Sequence, residues 1–192
     1  MAQDQISPNQ KLLVIGGSAG SLLVLLQVLP GIVISNDLAI VVVLHRKNTA
    51  DSLLSELLAF RTGLTVKEIE DKEQLKGGAV YLAPPDYHIL FEADQTVSLD
   101  FSEKVNFSRP SIDVAFESAA CVYRERLSCI LLSGANADGV QGLMEASSVN
   151  ALVAVQDPST AETPYMPQQA IIRQPGITVL KPLDMVAFIN SL

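Results

Sequence analysis

Residues 11–27 read KLLVIGGSAGSLLVLLQ, and this stretch decides the fold. It predicts an apolar strand that ends at a glycine pair, presents one serine and continues into an apolar helix. Ser18 is therefore expected at the amino end of a helix, where free N–H groups and the helix dipole favour negative charge. Gly16, Ser18 and Gly20 fit the G-x-S-x-G pattern of a nucleophile elbow. The stretch predicts either a nucleophile or an anion site.

The same pattern also fits a phosphate-binding turn or a purely structural turn. A dinucleotide fingerprint needs a third glycine and an acid after the second strand. This chain has Ser21 and His45 at those two places. A P-loop needs a Lys-Ser or Lys-Thr pair after the glycines, and none follows them here. These mismatches favour Ser18 as a nucleophile, and a nucleotide-binding α/β domain stays as an alternative.

The composition indicates one globular domain. The chain has 192 residues, of which 48% are hydrophobic, enough for a sizeable core. We expect residues 1–10 to be an N-terminal tail and residues 11–192 to be a single domain. A formal charge of −8 argues against nucleic acid or an anionic membrane as the main partner, since both bind through clustered Lys and Arg.

No segment of the sequence predicts a membrane span or a signal peptide. The apolar stretch 21–34 is interrupted by Gln27 and Pro30 and is too short to cross a bilayer. The first ten residues lack the basic and apolar regions of a signal peptide, so we expect a cytoplasmic location. Cys121 and Cys129 lie in apolar segments without a C-x-x-C pattern, and we expect both to be buried free thiols.

Apolar runs alternate with helical patterns along the chain. This alternation predicts an α/β fold with a doubly wound, mostly parallel sheet and flanking helices. An antiparallel hairpin near one edge is predicted over residues 88–101. The expected strands are 12–15, 39–44, 64–68, 79–82, 127–132, 152–155 and 177–180. The expected helices are 22–29, 51–61, 111–123, 140–147, 167–173 and 183–190.

Polar residues follow several of the predicted parallel strands, whose carboxyl ends lie at one edge of the sheet. Ser18 follows the first strand, His45 the second, residues 133–138 the fifth and Gln156 the sixth. A serine hydroxyl needs a base to take its proton. His45 is expected beside the Ser18 strand, whereas His88 lies near the hairpin. We therefore predict His45 as the base.

A carboxylate that orients the histidine can come from several places. The candidates are Asp138, Asp157, Asp113 and Asp86, and Asp138 in the glycine-bounded loop SGANADG is preferred. An aspartate at such a turn is also a common cap of the following helix. The N-A-D-G fragment echoes part of a calcium loop but lacks its other acids, so no metal site is predicted.

Six segments occur along the chain in this order: VIGGSAGS, VVVLHRK, VYLAPPDYHIL, RPSIDVAFESAA, LLSGANADGVQGL and VAVQDPSTAETPYMPQQAI. With them the chain resembles the catalytic domain of CheB-type chemotaxis protein-glutamate methylesterases. The resemblance runs from about residue 11 to the C-terminus. It implies a serine hydrolase that removes methyl esters from receptor glutamates and deamidates certain receptor glutamines, with no cofactor. By this resemblance the nucleophile is Ser18, the base His45 and the acid Asp138.

The sequence departs from the family pattern in the serine loop, after the histidine and before the aspartate. The backbone N–H groups near Ala19 and Ala135 remain candidates for an oxyanion hole, because such donors need no particular side chain. Arg46 is the candidate supplier of positive charge for docking acidic receptor helices, with a solvated surface arginine as the alternative.

The expected partner is a protein substrate, methylated chemoreceptor-type helices. The chain leaves no room before its first strand for a phosphorylated receiver domain, so we expect a separate regulatory protein or none. A catalytically silent signalling module on the same scaffold is the further alternative.

Overall fold

The computed structural model describes residues 10–46 and 53–192. Within these residues seven strands form a parallel sheet in the order β10-β9-β8-β1-β2-β5-β3, and a separate antiparallel sheet has the order β4-β7-β6. The strands are β1 (Lys11–Gly17), β2 (Leu38–Leu44), β3 (Val66–Glu68), β4 (Glu73–Gln74), β5 (Val80–Leu82), β6 (His88–Phe91), β7 (Thr96–Asp100), β8 (Leu127–Leu131), β9 (Leu152–Gln156) and β10 (Thr178–Leu180).

Helices cover both faces of the parallel sheet. In β1, Leu12 and Val14 pack into a core cluster with helix α3, whereas Leu13 and Ile15 pack into a second cluster with α1 and α6. Successive strand residues point to opposite faces, so a continuously apolar strand is buried on both. The helices are α1 (Ser21–Val28), α2 (Leu53–Thr62), α3 (Ile112–Tyr123), α4 (Val140–Ser148), α5 (Tyr165–Arg173) and α6 (Pro182–Asn190).

The strand order changes direction beside β1. The chain runs from β1 to β2 on one side and returns later to β8 on the other side. Gly17 pairs with Leu44 of β2, and Gly16 pairs with Leu131 of β8, so the carboxyl ends of these strands lie level. Ligand sites of doubly wound folds lie beyond such a switch point. The topology places the residues after β1, β2 and β8 together.

Gly16 lets α3 approach β1 closely. A Cβ atom at Gly16 would lie 2.3 Å from Cγ2 of Ile112 and 3.1 Å from Cζ of Phe116, so a larger residue would displace the helix. Both side chains are fully buried. This contact brings the amino end of α3 to the switch point.

Most predicted elements are confirmed within one or two residues. Helix α5 begins at Tyr165 and not at Pro167, because proline is tolerated in the first helical turn. The prediction that Cys121 is buried was wrong: it lies on the exposed side of α3, and only Cys129 is buried. Residues 51 and 52 of the predicted second helix lie outside the described residues. In the described ranges, no helix is long and apolar enough to cross a membrane.

Packing of α3 on the sheet is tested by Phe116→Ala. Phe116 is 0% exposed, and its removal leaves a cavity that costs roughly 3–5 kcal/mol of unfolding free energy. Phe60, which is 87% exposed on α2, provides a matched control whose change to alanine costs less than about 0.5 kcal/mol. Urea unfolding measures both, and equal costs would contradict the packing described.

Candidate active site

The Ser18 loop is fixed to the loop that follows β8. The Ser18 N–H donates to the carbonyl of Ser133 at 2.8 Å and lies 3.0 Å from Oγ of Ser21. Ser21 in turn donates its hydroxyl proton to the same Ser133 carbonyl at 2.7 Å. The half-buried Ser18 hydroxyl makes no hydrogen bond within the described residues. Its backbone is therefore held while its oxygen remains available.

His45 lies beside this loop because of the strand register. Its N–H donates to the carbonyl of Gly17 at 3.2 Å, directly before Ser18. Its Nε2 lies 2.7 Å from Oδ2 of Asp138. A carboxylate only accepts hydrogen bonds, so Nε2 carries the proton and Nδ1 holds the free lone pair. The Ser108 hydroxyl lies 3.4 Å from Nδ1, a long contact.

Asp138 is the most heavily hydrogen-bonded carboxylate of this cluster. Besides His45, its oxygens accept from the Asn106 amide at 3.0 Å and the Ser111 hydroxyl at 2.8 Å. They also accept from the N–H groups of Ile112 at 2.7 Å and Asp113 at 3.2 Å, at the amino end of α3. Helix α4, which follows Asp138, has no side-chain cap. The cap predicted as an alternative is thus wrong for α4, because the carboxylate serves α3.

These contacts decide the charge of Asp138. Burial alone raises the pKa of a carboxyl group, but hydrogen bonds from His45, Asn106, Ile112 and Ser111 outweigh it and lower the pKa of Asp138 to about 2. Asp138 is therefore a charged acceptor at neutral pH. A carboxylate in this state can hold the histidine ring and stabilise its cationic form.

A second buried carboxylate lies behind the first. Asn106 donates from Nδ2 to Oδ2 of Asp113 at 2.8 Å, as it does to Asp138, and so bridges the two. The other oxygen of Asp113 accepts from the N–H of Gly142 at 2.8 Å. Burial and the charge of Asp138 raise the pKa of Asp113 to about 6, against the lowering effect of the Gly142 and Asn106 bonds.

The loop after β8 brings a glycine against the serine. A Cβ atom at Gly134 would lie 3.1 Å from Cβ of Ser18 and 2.4 Å from Cε of Met166, so the close approach needs glycine. The Gly134 N–H is used by the carbonyl of Thr163 at 2.9 Å. In the part of the chain that the structure describes, the N–H groups of Ala19 and Ala135 donate to no protein group.

Arg46 and His88 are both engaged elsewhere. Arg46 pairs with Glu68 and donates to the carbonyl of Ala83 at 3.1 Å. His88 is 1% exposed, accepts from the N–H of Ser111 at Nδ1 and contacts the carbonyl of Glu103 through Nε2. Its ring therefore links two backbone segments, and among the described residues no hydrogen bond joins it to His45 or Asp138.

The sequence analysis missed Asn106, Ser108 and Ser111. They lie in the loop between the hairpin and α3, which follows no strand of the parallel sheet, so the search of strand ends did not reach them. The polar run directly before α3 was the available signal. Of the other carboxylate candidates, Asp113 lies behind Asp138, to which Asn106 links it. Asp157 instead caps a short 3₁₀ helix (Pro158–Thr160).

Comparison with known proteins assigns this architecture to a family. The sequence profile of CheB methylesterase matches residues 13–189. The chain belongs to the CheB methylesterase family. A solved member, the CheB methylesterase catalytic domain of Thermotoga maritima, superposes with a TM-score of 0.89 at 30% identity, over 97% of this chain and 99% of that one.

Curated relatives carry the names of CheB-type enzymes. A Leptospira interrogans protein, assigned by its name to the protein-glutamate methylesterase/protein-glutamine glutaminases, is 44% identical over 163 residues, covering 85% of this chain and 84% of that protein. The enzyme of that name from Thermotoga maritima is 33% identical over 164 residues, which cover 84% of this chain. The match spans only 48% of the Thermotoga protein.

The charge of Asp138 is tested through the pH dependence of stability. The pKa is lowered from 3.8 to about 2, so the stabilisation is complete above about pH 4 and is lost as the pH falls towards 2. Asp138→Asn should be less stable than wild type at pH 7 by roughly 3 kcal/mol. The gap should narrow from about pH 4 to pH 2, whereas the exposed control Asp184→Asn should show no such trend. If urea unfolding gave the same difference in unfolding free energy between wild type and Asp138→Asn across this pH range, the charge assigned to Asp138 would be contradicted.

Proposed function

We propose that this chain is a serine hydrolase that removes methyl esters from protein glutamyl side chains, with Ser18, His45 and Asp138 as its catalytic triad. The contact between His45 and Asp138 carries the proposal, together with the bond from the His45 N–H to the carbonyl of Gly17, directly before Ser18. The membership in the CheB methylesterase family supplies the reaction class.

In the first step Ser18 Oγ attacks the ester carbonyl carbon, and its proton passes to Nδ1 of His45. Asp138 keeps the proton on Nε2 and stabilises the imidazolium that forms. The tetrahedral intermediate expels methoxide, which takes the proton from Nδ1 and leaves as methanol. Water then attacks the acyl-enzyme with the same base, releasing a glutamate side chain and free Ser18.

The developing oxyanion needs donors that are not already used. The unengaged N–H groups of Ala19 and Ala135 lie on the two loops that meet at Ser18, and we assign the oxyanion hole to them. The N–H groups of Ser18 and Gly134 are committed to carbonyl oxygens of the protein. The commitment of the Ser18 N–H also weighs against a phosphate-binding turn, which would need it.

The proposed substrate is a segment of another protein, methylated chemoreceptor-type helices. Relatives are named both methylesterase and glutaminase, and the same acyl-enzyme forms from a glutamine side chain when ammonia leaves in place of methanol. Cys121 and Cys129 are free thiols, which agrees with action in a reducing cytoplasm. Control by a separate regulatory protein stays a prediction.

The predicted role of Arg46 in docking competes with an ion pair inside the protein. Its ion pair with Glu68 neutralises much of the charge that would attract an acidic helix. We keep it as a prediction and expect its effect on substrate binding to be small.

Removal of the nucleophile is the primary test. Ser18→Ala should fold like wild type and lose at least about three orders of magnitude in kcat on a methyl-esterified receptor fragment, measured as methanol release. A serine-directed fluorophosphonate should label wild type and not the variant. Wild-type turnover by Ser18→Ala would refute Ser18 as the nucleophile. A wild type that is neither labelled nor active would favour a catalytically silent signalling module.

The two histidines should separate under conservative changes. In His45→Gln the amide still reaches Asp138, but the free base at Nδ1 is lost, so kcat/KM should fall about a thousandfold at unchanged stability. In His88→Asn the amide oxygen still accepts from the N–H of Ser111. This variant should lower Tm while each folded molecule keeps its activity. Equal losses of activity per folded molecule, with folding checked by circular dichroism, would leave His45 without a special role.

A further inference from the structure

Residues 105–108 form a tight turn, here called the 105–108 turn, that contacts His45 and Asp138 of the proposed triad. Val105 and Ser108 pair through two backbone hydrogen bonds of 3.2 and 2.9 Å. Asn106 donates to Asp138 and Asp113, while the Ser108 hydroxyl contacts Nδ1 of His45. The turn is therefore fixed to the catalytic groups from both of its sides.

Phe107, at the tip of this turn, is an unusual residue for its position. Asn106 and Phe107 have φ values of 50° and 62°, the geometry of a type I′ turn, which favours glycine or asparagine. A bulky residue in this conformation is strained. Phe107 is also 97% exposed, so its ring gains nothing from burial. Neither backbone preference nor core packing accounts for an aromatic ring here.

A cavity of about 380 Å³ lies beside Phe107, and Asp138 of the proposed triad forms part of its wall. Its walls include Asn136, Ala137 and Asp138, from the loop that also carries Ala135. The opposite wall is formed by helices α4 and α5. The side chains that these helices contribute combine apolar and polar groups: Val140, Gln141, Met144, Gln169 and Arg173.

Arg173 supplies a positive charge to this cavity. It lies exposed in the last turn of α5, and within the described residues it makes no ion pair. The acids that face the cavity, Asp113 and Asp138, direct their oxygens to Asn106, His45 and backbone N–H groups. In contrast with Arg46, the guanidinium of Arg173 is free to attract an acidic group of a binding partner. It is thus a local positive charge on a chain whose net charge is −8.

We propose that Phe107 and this cavity dock the segment of the substrate protein that flanks the methyl ester. An apolar side chain of the substrate packs on the Phe107 ring and Met144, and an acidic side chain within one helical turn pairs with Arg173. The loop that carries Asp138 forms one wall of the cavity and approaches Ser18 at Gly134. This shared loop and the charge of Arg173 select this occupant. This inference rests on the proposed function and names where its protein substrate binds.

The experiment compares two kinds of substrate. One is a helix-forming peptide with a single glutamyl methyl ester, a leucine and a glutamate within one turn of it; the other is the small ester p-nitrophenyl acetate. Phe107→Gly relieves the backbone strain while removing the ring, so it should fold at least as well as wild type. Its ratio of kcat/KM for the peptide to that for the small ester should fall about tenfold, through KM. Phe107→Tyr keeps an aromatic ring and should retain the wild-type ratio. The exposed control Phe60→Ala should not change it either.

The charged contact is tested by pairing enzyme and peptide variants. Replacing the peptide glutamate by glutamine should lower wild-type kcat/KM severalfold at low salt and less at high salt. Arg173→Ala should abolish this difference between the peptides. Arg61→Ala, which removes an exposed arginine from the last turn of α2, should retain it.

The outcomes separate the two proposals. The docking assignment would be overturned if Phe107→Gly left the peptide-to-ester ratio unchanged. It would also be overturned if Arg173→Ala discriminated between the two peptides as well as wild type does. In both cases, hydrolysis by wild type would still uphold the proposed function. A wild type that hydrolyses neither substrate would overturn both.

Discussion

The buried carboxylate of Asp138 is the constraint on which the rest of the site depends. A charge removed from water is costly unless it is fully hydrogen-bonded, and here five donors converge on two oxygens. Two of these donors are backbone N–H groups at the start of α3, which therefore must lie at the sheet edge. The helix reaches that edge because Gly16 lets it pack close to β1. The packing of the core and the charge state of the site thus depend on one another.

Two loops hold the site around Asp138, and each supplies different groups to it. The loop after β8 contributes Asp138 and, through Ser133, holds the Ser18 backbone. The 105–108 turn contributes an amide to two carboxylates and a hydroxyl to the histidine. A site held from several loops in this way keeps its charged groups aligned before any substrate arrives, which is the preorganisation that electrostatic catalysis requires.

The sequence could predict those parts of the fold that depend on continuous patterns. The apolar runs of β1, β2 and β8 gave the parallel sheet, and the level ends of its strands brought His45 to Asp138 as expected. The two-residue strand β4 has too short a pattern to be recognised. Asn106 escaped notice because its role depends on how a loop folds back in space. The pairing of Arg46 with Glu68 is likewise a tertiary contact between segments that no local pattern links.

In the proposed mechanism, the orientation of the His45 ring decides which of its nitrogens takes the proton from Ser18. Because Nε2 faces Asp138, the lone pair available to Ser18 is on Nδ1, the ring nitrogen nearer to the main chain. Neighbouring strands lie only about 4.8 Å apart, so this short-reach nitrogen suits a serine that follows the adjacent strand. In this proposal the spacing of two neighbouring strands sets the distance over which the proton passes from Ser18 to His45.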